Sequence, residues 1–462
     1  MIKIETFLKS NIYPLMVAII GFIAWALPAN FLWLNNTLII LLVVISVLIL
    51  AFFKNTKYII PILLSLLFMI NIEKIGVEDL SGFTVYHLML ILVLVGLTVH
   101  FVRFKYEFKF DFIALGLLLI AISYFIPMSY MPVSSLVFSV SLTGLLYLLF
   151  YLFFKSTAKV TTAEVLNYFF FAALQLLAIL VYSMGTNFFE LILENNLEET
   201  FSKGIKTGWG GADYGFGNIN DLTIHLAILS SGIFYKILKN SKNHSYWIFA
   251  VISSLTVIFS GSRGGVITLA LILFVYYIML FVYGKKPQIL IGNALIILFG
   301  LLAFIYKDIF LILYENFIQG GFDDLDKFSS GRIQLYKEAI EVFKQYPVFG
   351  AGWTTFEANN IDRLQVFHST VFHTLAISGI FGMFAVFVFT IACLATLLKK
   401  ISLNVLILGV PWTMTMLHGL FDNTIHMVIY TILTIILFTA VQNEEENLFN
   451  KDKEFFKYFT YK

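Results

Sequence analysis

Fourteen stretches of this chain are apolar for close to the ~20 residues that a helix needs to cross a hydrocarbon core, and their recurrence constrains the fold more than any motif. They run at about 11–34, 36–53, 58–72, 84–102, 111–128, 134–154, 165–186, 219–238, 245–260, 264–284, 288–306, 370–398, 401–418 and 424–441. Such a chain has little polar surface to offer water: 60% of its 462 residues are hydrophobic and 13% are charged, which excludes a soluble domain. In lipid every backbone polar group must be satisfied within its own segment, so helices are expected. The expected fold class is therefore all-α, a polytopic membrane protein of about fourteen transmembrane helices, with twelve as the lower count. Residues 1–441 should form one transmembrane domain, and 442–462 a solvated cytoplasmic tail. The first run lacks a small-residue cleavage site and is expected to persist as the first span.

The charge pattern orients these spans. With the N-terminus inside, twenty basic residues fall in inside segments and ten outside, as the positive-inside rule requires. Both termini are then cytoplasmic. A net charge of +2 gives no reason to expect a nucleic-acid partner. The single cysteine, Cys393 in an apolar run, excludes an intramolecular disulfide framework and paired-cysteine metal or redox sites.

Two outside connections are longer than turns, at 187–218 and 307–369, and long loops on a rigid scaffold tend to carry function. Three of the chain's four arginines, Arg263, Arg332 and Arg363, lie in or beside outside loops. Arg263 sits in Phe259-Ser260-Gly261-Ser262-Arg263-Gly264-Gly265, a turn whose glycines allow close backbone approach and an anion-binding nest. A tight hairpin with an arginine reaching lipid phosphate fits the same residues. Arg332 follows Ser329-Ser330-Gly331 and opens a stretch with Ile333, Tyr336, Ala339, Ile340 and Phe343 at helical spacing. This predicts an amphipathic helix, started by a serine cap and stopped before Pro347. A cation in a helix's first turn opposes the dipole unless an anion is shared there. Pro347 to Trp353 then reads as a turn with an aromatic end suited to sugar faces, and His368 stands where the loop re-enters the membrane. A histidine there can take a hydroxyl proton.

In this order and placement the motifs resemble the O-antigen ligase and O-antigen polymerase superfamily. The matching residues are Ser262-Arg263-Gly264, Gly331-Arg332, Pro347 to Gly352, and His368 followed by Leu375, Gly379 and Gly382, with an upstream Asn218-Ile219-Asn220. The similarity covers roughly 216–430; Ser369 stands where the family usually has asparagine. The resemblance implies an architecture like that of lipid-sugar-dependent membrane glycosyltransferases of the GT-C type. It also implies an enzyme at the outer face of a bacterial cytoplasmic membrane, with a polyprenyl-pyrophosphate-linked glycan as donor and no metal or other cofactor. His368, Arg332 and Arg263 would be catalytic, and Gly264, Gly331, Asn218 and Asn220 would contact substrate; the residues themselves add Trp353, for its aromatic ring, and Asp422, beside the acceptor, as candidates for substrate contact.

The resemblance leaves two activities open. First is a polymerase joining repeat units of a surface polysaccharide, with a chain-length regulator as a candidate partner. Second is a ligase moving glycan to a lipid, protein or wall acceptor. A flippase is the alternative from another class, but transporters commonly show repeated halves, and the sequence shows none. His418, Asp422 and His426, four apart, suggest a metal face only on a continuous helix, and Gly419 is expected to break it. Asp221 and His225 share one face of a span and could bond each other.

Overall fold

The computed structural model describes residues 2–69, 85–195, 199–200, 219–318, 329–358 and 361–445. Asn218, most of the first long loop and the tail beyond 445 lie outside them. In chain order the helices are α1 (Ile2–Leu8), α2 (Ile12–Ala26), α3 (Leu32–Phe52), α4 (Ile60–Met69), α5 (Val85–Arg103), α6 (Phe112–Phe125), α7 (Ser135–Thr157) and α8 (Thr162–Glu194). Then come α9 (Ile219–Lys239), α10 (Tyr246–Phe259), α11 (Arg263–Tyr283), α12 (Lys286–Ile305), α13 (Lys307–Ile318) and α14 (Arg332–Gln345). A small antiparallel hairpin, β1 (Thr355–Ala358) and β2 (Ile361–Leu364), precedes α15 (Thr370–Lys399), α16 (Leu403–His418) and α17 (Val428–Gln442).

Thirteen of the fourteen apolar runs hold one α-helix each, and the multi-pass, all-α class is as expected. Among the described residues eight helices are long and apolar enough to cross a membrane, or nine if α1 and α2, bent by 64°, count as one span. Helices α4, α5, α10, α16 and α17 are apolar but shorter. The run expected to continue from 11 to 34 is two helices. Leu27, which precedes Pro28, is extended at ψ 131°, because the proline ring disfavours the helical region for the residue before it.

The helices group into two compact units. Met1–Tyr106 with Ala163–Phe317 form the first, and Glu107–Thr162 with Ile318–Lys462 form the second. In the first, small residues let helices approach to backbone contact: a Cβ on Gly232 of α9 would lie 2.2 Å from the Phe170 amide nitrogen of α8. Phe234 and Tyr276 stack at 4.0 Å between α9 and α11. In the second unit Gly116 of α6 packs against the Phe389 backbone of α15. One end of that bundle is tied by Asp111, which caps α6 at the Ala114 amide (2.9 Å) and takes Tyr151, Gln442 and Lys155 on its other oxygen.

α15 is not continuous. Gly379 has φ 61° and ψ −157°, which interrupts the helix inside its apolar run. The turn Pro347–Gly352 is inserted at this break, and four backbone bonds are exchanged. Ile380 and Phe381 donate to the carbonyls of Pro347 (2.9 Å) and Val348 (3.0 Å), while Ala351 and Gly352 donate to those of Ala376 (2.8 Å) and Ile377 (2.9 Å). Backbone groups freed from a helix in an apolar setting must find such partners. The glycines of the motif are required by contact and by conformation. Gly350 and Gly352 have φ 73° and 72°, and a Cβ on Gly350 would lie 2.2 Å from the Ser378 nitrogen.

Gly379→Ala should therefore destabilise the protein. It combines a positive φ with a Cβ 2.5 Å from the Val348 carbonyl, and strain of this kind costs about 1–3 kcal/mol before any clash. The detergent melting temperature should fall clearly, while Gly300→Ala, with nothing within 4 Å, should leave it unchanged or slightly raised.

Candidate functional site

The site in the second unit starts from the docking of α14. Its Leu335, Ala339 and Val342 pack with Phe367, Phe372 and Ala376 in one apolar cluster, and the Tyr336 ring stacks on Phe372 at 4.4 Å. The amphipathic helix is as expected, but its docked stripe is turned from the predicted one: Ile340 is 38% exposed. Its cap also differs. The N-cap is Gly331, in the left-handed region at φ 77°, and Ser329 assists from farther back, its Oγ 3.4 Å from the Ile333 amide.

This docking fixes Arg332, the first residue of α14, beside the end of α16. Its Nη2 lies 3.6 Å from Asp422 Oδ2, and the other carboxylate oxygen faces His368 Nδ1 at 3.4 Å. Asp422 is 2% exposed, whereas Arg332 and His368 side chains are 23% and 34% exposed. One buried carboxylate thus holds two partly open functional groups. It also compensates the arginine at the helix N-terminus, which the dipole alone would disfavour.

The loop bearing Asp422 is stitched to the start of α15. Thr370 donates its amide to the carbonyls of Gly419 (2.8 Å) and Asp422 (2.9 Å), and the Ser369 amide donates to Asn423 Oδ1 at 2.8 Å. Asn423 in turn donates its amide to Asp422 Oδ1 at 2.9 Å. Ser369, at the family's asparagine position, is the N-cap of α15, its Oγ accepting from the Phe372 amide. His368 itself has φ 44°, a region costly for a side-chain-bearing residue. It is held there partly by Tyr336, whose hydroxyl donates to the His368 carbonyl at 3.1 Å.

Burial on its own pushes the Asp422 carboxyl up, but the His368 bond, the Arg332 charge and the Asn423 amide outweigh it and hold the group below its ordinary range. An ionised carboxylate only accepts, so the contact is satisfied by the tautomer with its proton on His368 Nδ1, which leaves a lone pair on Nε2. A histidine held this way can take a proton from a hydroxyl.

The structure assigns other places to the remaining candidates. Trp353 is 7% exposed, with Tyr124, His373 and His426 against it at ring distances of 5.5, 4.9 and 5.9 Å. Packed among these rings, it offers no open platform. His426 is bound by the Tyr124 hydroxyl (2.7 Å) and by Thr374 (2.9 Å), away from Asp422. The expected break at Gly419 is only partial: α16 ends at His418, yet the Asp422 amide still donates to the His418 carbonyl at 3.1 Å. In the first unit Arg263 opens α11, and its Nη1 is 3.5 Å from the Phe317 carbonyl. Gly264 is the second residue of that helix, and Asn220 accepts from the Ser262 hydroxyl at 2.6 Å. His225 is buried with no bond to either ring nitrogen. The site residues that sequence reasoning missed are Tyr336, one turn after Arg332, and Asn423, next to Asp422.

In a multi-pass helical membrane protein, an arginine and a histidine on one buried carboxylate beside a loop helix can bind an anionic group and take a proton next to it. Residues 248–387 match the family model described as O-antigen ligase, which bears out the superfamily resemblance over that stretch. The match takes in Arg263, Arg332 and His368 and stops before Asp422. It supports a glycan-transfer role of the ligase or polymerase type. Comparison with curated proteins finds no match.

Because the Asp422 carboxyl titrates lower in the folded protein than in the unfolded chain, its contribution is complete above the unfolded value near 4. It is lost as pH falls through the folded value. Melting temperature should fall below about pH 4, and Asp422→Asn should flatten that part of the profile. At neutral pH the same substitution should cost about 1.5–3 kcal/mol, the usual worth of a bond to a charged group.

Proposed function

We propose that the protein is a polymerase joining polyprenyl-pyrophosphate-linked oligosaccharide repeat units of a cell-surface polysaccharide at the outer face of the cytoplasmic membrane. The observation that supports it most directly is the Asp422 carboxylate between His368 Nδ1 and Arg332. The acceptor hydroxyl attacks the anomeric carbon of the donor sugar and its proton passes to His368 Nε2. As the new glycosidic bond forms, the bond from anomeric carbon to phosphate oxygen breaks, and its electron pair leaves with the polyprenyl pyrophosphate.

Asp422 stabilises the imidazolium that results, as a buried carboxylate does for an oriented histidine. Arg332 offers the planar, forked donor set that suits phosphate oxygens, in the part a divalent metal often plays. Arg263 is proposed as a further phosphate-binding cation, on the strength of its motif. The His368–Asp422 and Arg332–Asp422 contacts are loose, as catalytic contacts commonly are before substrate binds.

Ligation is the second reading, supported by the description of the matching family. The two differ in what accumulates when the gene is deleted: single repeat units at the surface for a polymerase, or full-length glycan left on its polyprenyl carrier for a ligase. The second outcome would overturn the first reading.

His368→Ala should lower transfer by roughly two to four orders of magnitude, the usual scale of general base help, in a reconstituted assay that chelation leaves unaffected. Wild-type turnover in this variant would remove the histidine from the mechanism. The matching control is His373→Phe, because His373 is fully buried against Trp353, Phe367 and His426 and alanine there would leave a cavity.

Arg332→Lys should reduce activity at least tenfold with expression intact, since lysine keeps the charge and loses the fork. A cysteine at the same position should react with an impermeant reagent in intact cells. Labelling only after permeabilisation would reverse the proposed orientation.

A further inference from the structure

The start of α11 is built by side chains from two helices. Gly261 takes φ 77°, and Ser260 Oγ accepts the Ser262 amide at 3.1 Å. Ser262 Oγ then caps the helix by accepting the Gly265 amide at 3.0 Å. A hydroxyl has one proton, and that of Ser262 goes to Asn220 Oδ1 on α9 at 2.6 Å. Thr223, one turn further along α9, donates to the Asn220 carbonyl at 2.8 Å and lies 3.2 Å from Ser262 Oγ.

Gly265 makes the approach of the two helices possible, since a Cβ there would lie 2.4 Å from Thr223 Oγ1. Ser262 and Thr223 are each 2% exposed, so their hydroxyls are shielded from water. Polar bonds between apolar helices fix their rotation and register. Arg263 is the residue after the cap, so the rotation of α11 sets where its guanidinium leaves the helix.

We propose that Asn220 is a positioning residue for Arg263, acting through the Ser262 hydroxyl, and that the anion it serves is a pyrophosphate group. The proposal rests on Arg263 being a phosphate-binding cation. It replaces direct substrate contact as the role of the Asn220 carbonyl oxygen, which is committed to Ser262. It also accounts for the residue type: aspartate would provide the same acceptor but place a negative charge near Arg263 and weaken its hold on an anion, whereas asparagine provides the acceptor without the charge.

The test is a double-mutant cycle on the affinity of the purified full-length protein for inorganic pyrophosphate, measured by calorimetry in detergent. Asn220→Ala and Ser262→Ala should each weaken binding about tenfold, and the double variant should be no weaker than either single one, because both remove the same link. Ser262→Thr, which keeps a capping hydroxyl, should restore affinity. In an Arg263→Ala background Asn220→Ala should have no further effect. Asn220→Gln, which keeps the amide but displaces it, should show the same loss and covers the case in which the alanine variant does not fold. Losses that add across the pair, or that persist without Arg263, would overturn the positioning role. Wild-type affinity in Arg263→Ala, or no binding by the wild type, would instead overturn the reading of Arg263 itself and remove the premise of the proposal.

Discussion

The second unit depends on one exchange of backbone hydrogen bonds. A helix in an apolar setting cannot be interrupted without stranding amides and carbonyls, each costing more than a typical hydrogen bond contributes. The turn Pro347–Gly352 supplies the missing partners at the Gly379 break. In doing so it fixes the chain at both ends of the segment that matters. Upstream it anchors the end of α14, whose first residue is Arg332; downstream it sets Trp353 against His373 and leads through the hairpin to His368. The Tyr130 hydroxyl, donated to the Gly350 carbonyl, ties the same turn to the segment after α6.

On this frame a single carboxylate does the electrostatic organisation. Asp422 is nearly inaccessible, and a charge so placed needs opposing charges and donors to stay ionised. Arg332, His368 and the Asn423 amide provide them, and each is thereby oriented in return. The left-handed backbone at His368 is tolerated because its surroundings fix both of its ends, through Tyr336 on its carbonyl and Asn423 on the following amide. Strain of this kind persists only where neighbouring bonds over-determine it.

Much of this was legible in the residues. Apolar run length marked every membrane-length helix, since lipid leaves the backbone few alternatives. The apolar spacing after Arg332 marked α14, and the arginines outside the positive-inside pattern drew attention to Arg332 and Arg263. What could not be read was how the pieces meet. Composition reports that 370–398 is apolar, and Gly379 in such a run looks like one more small packing residue, because its positive φ arises from a turn inserted from elsewhere in the chain. Trp353 looked like a sugar platform for the same reason: aromatic character is visible in sequence, and burial against Tyr124 and His426 is not. Asn220 stands out by its motif, but its acceptor bond to Ser262 joins two helices that only the fold brings together.

The inserted turn also limits how this segment can drift over time. Most packed interfaces tolerate a larger side chain on one face if a smaller one appears opposite. At Gly350 and Gly379 the atoms that a new Cβ would strike are main-chain atoms of Ile377, Ser378, Pro347 and Val348, which no substitution can shrink. No second-site change can repair the first, so these glycines should vary independently of every other position or not at all. A search for paired changes between positions would therefore miss the contact that holds the loop in place.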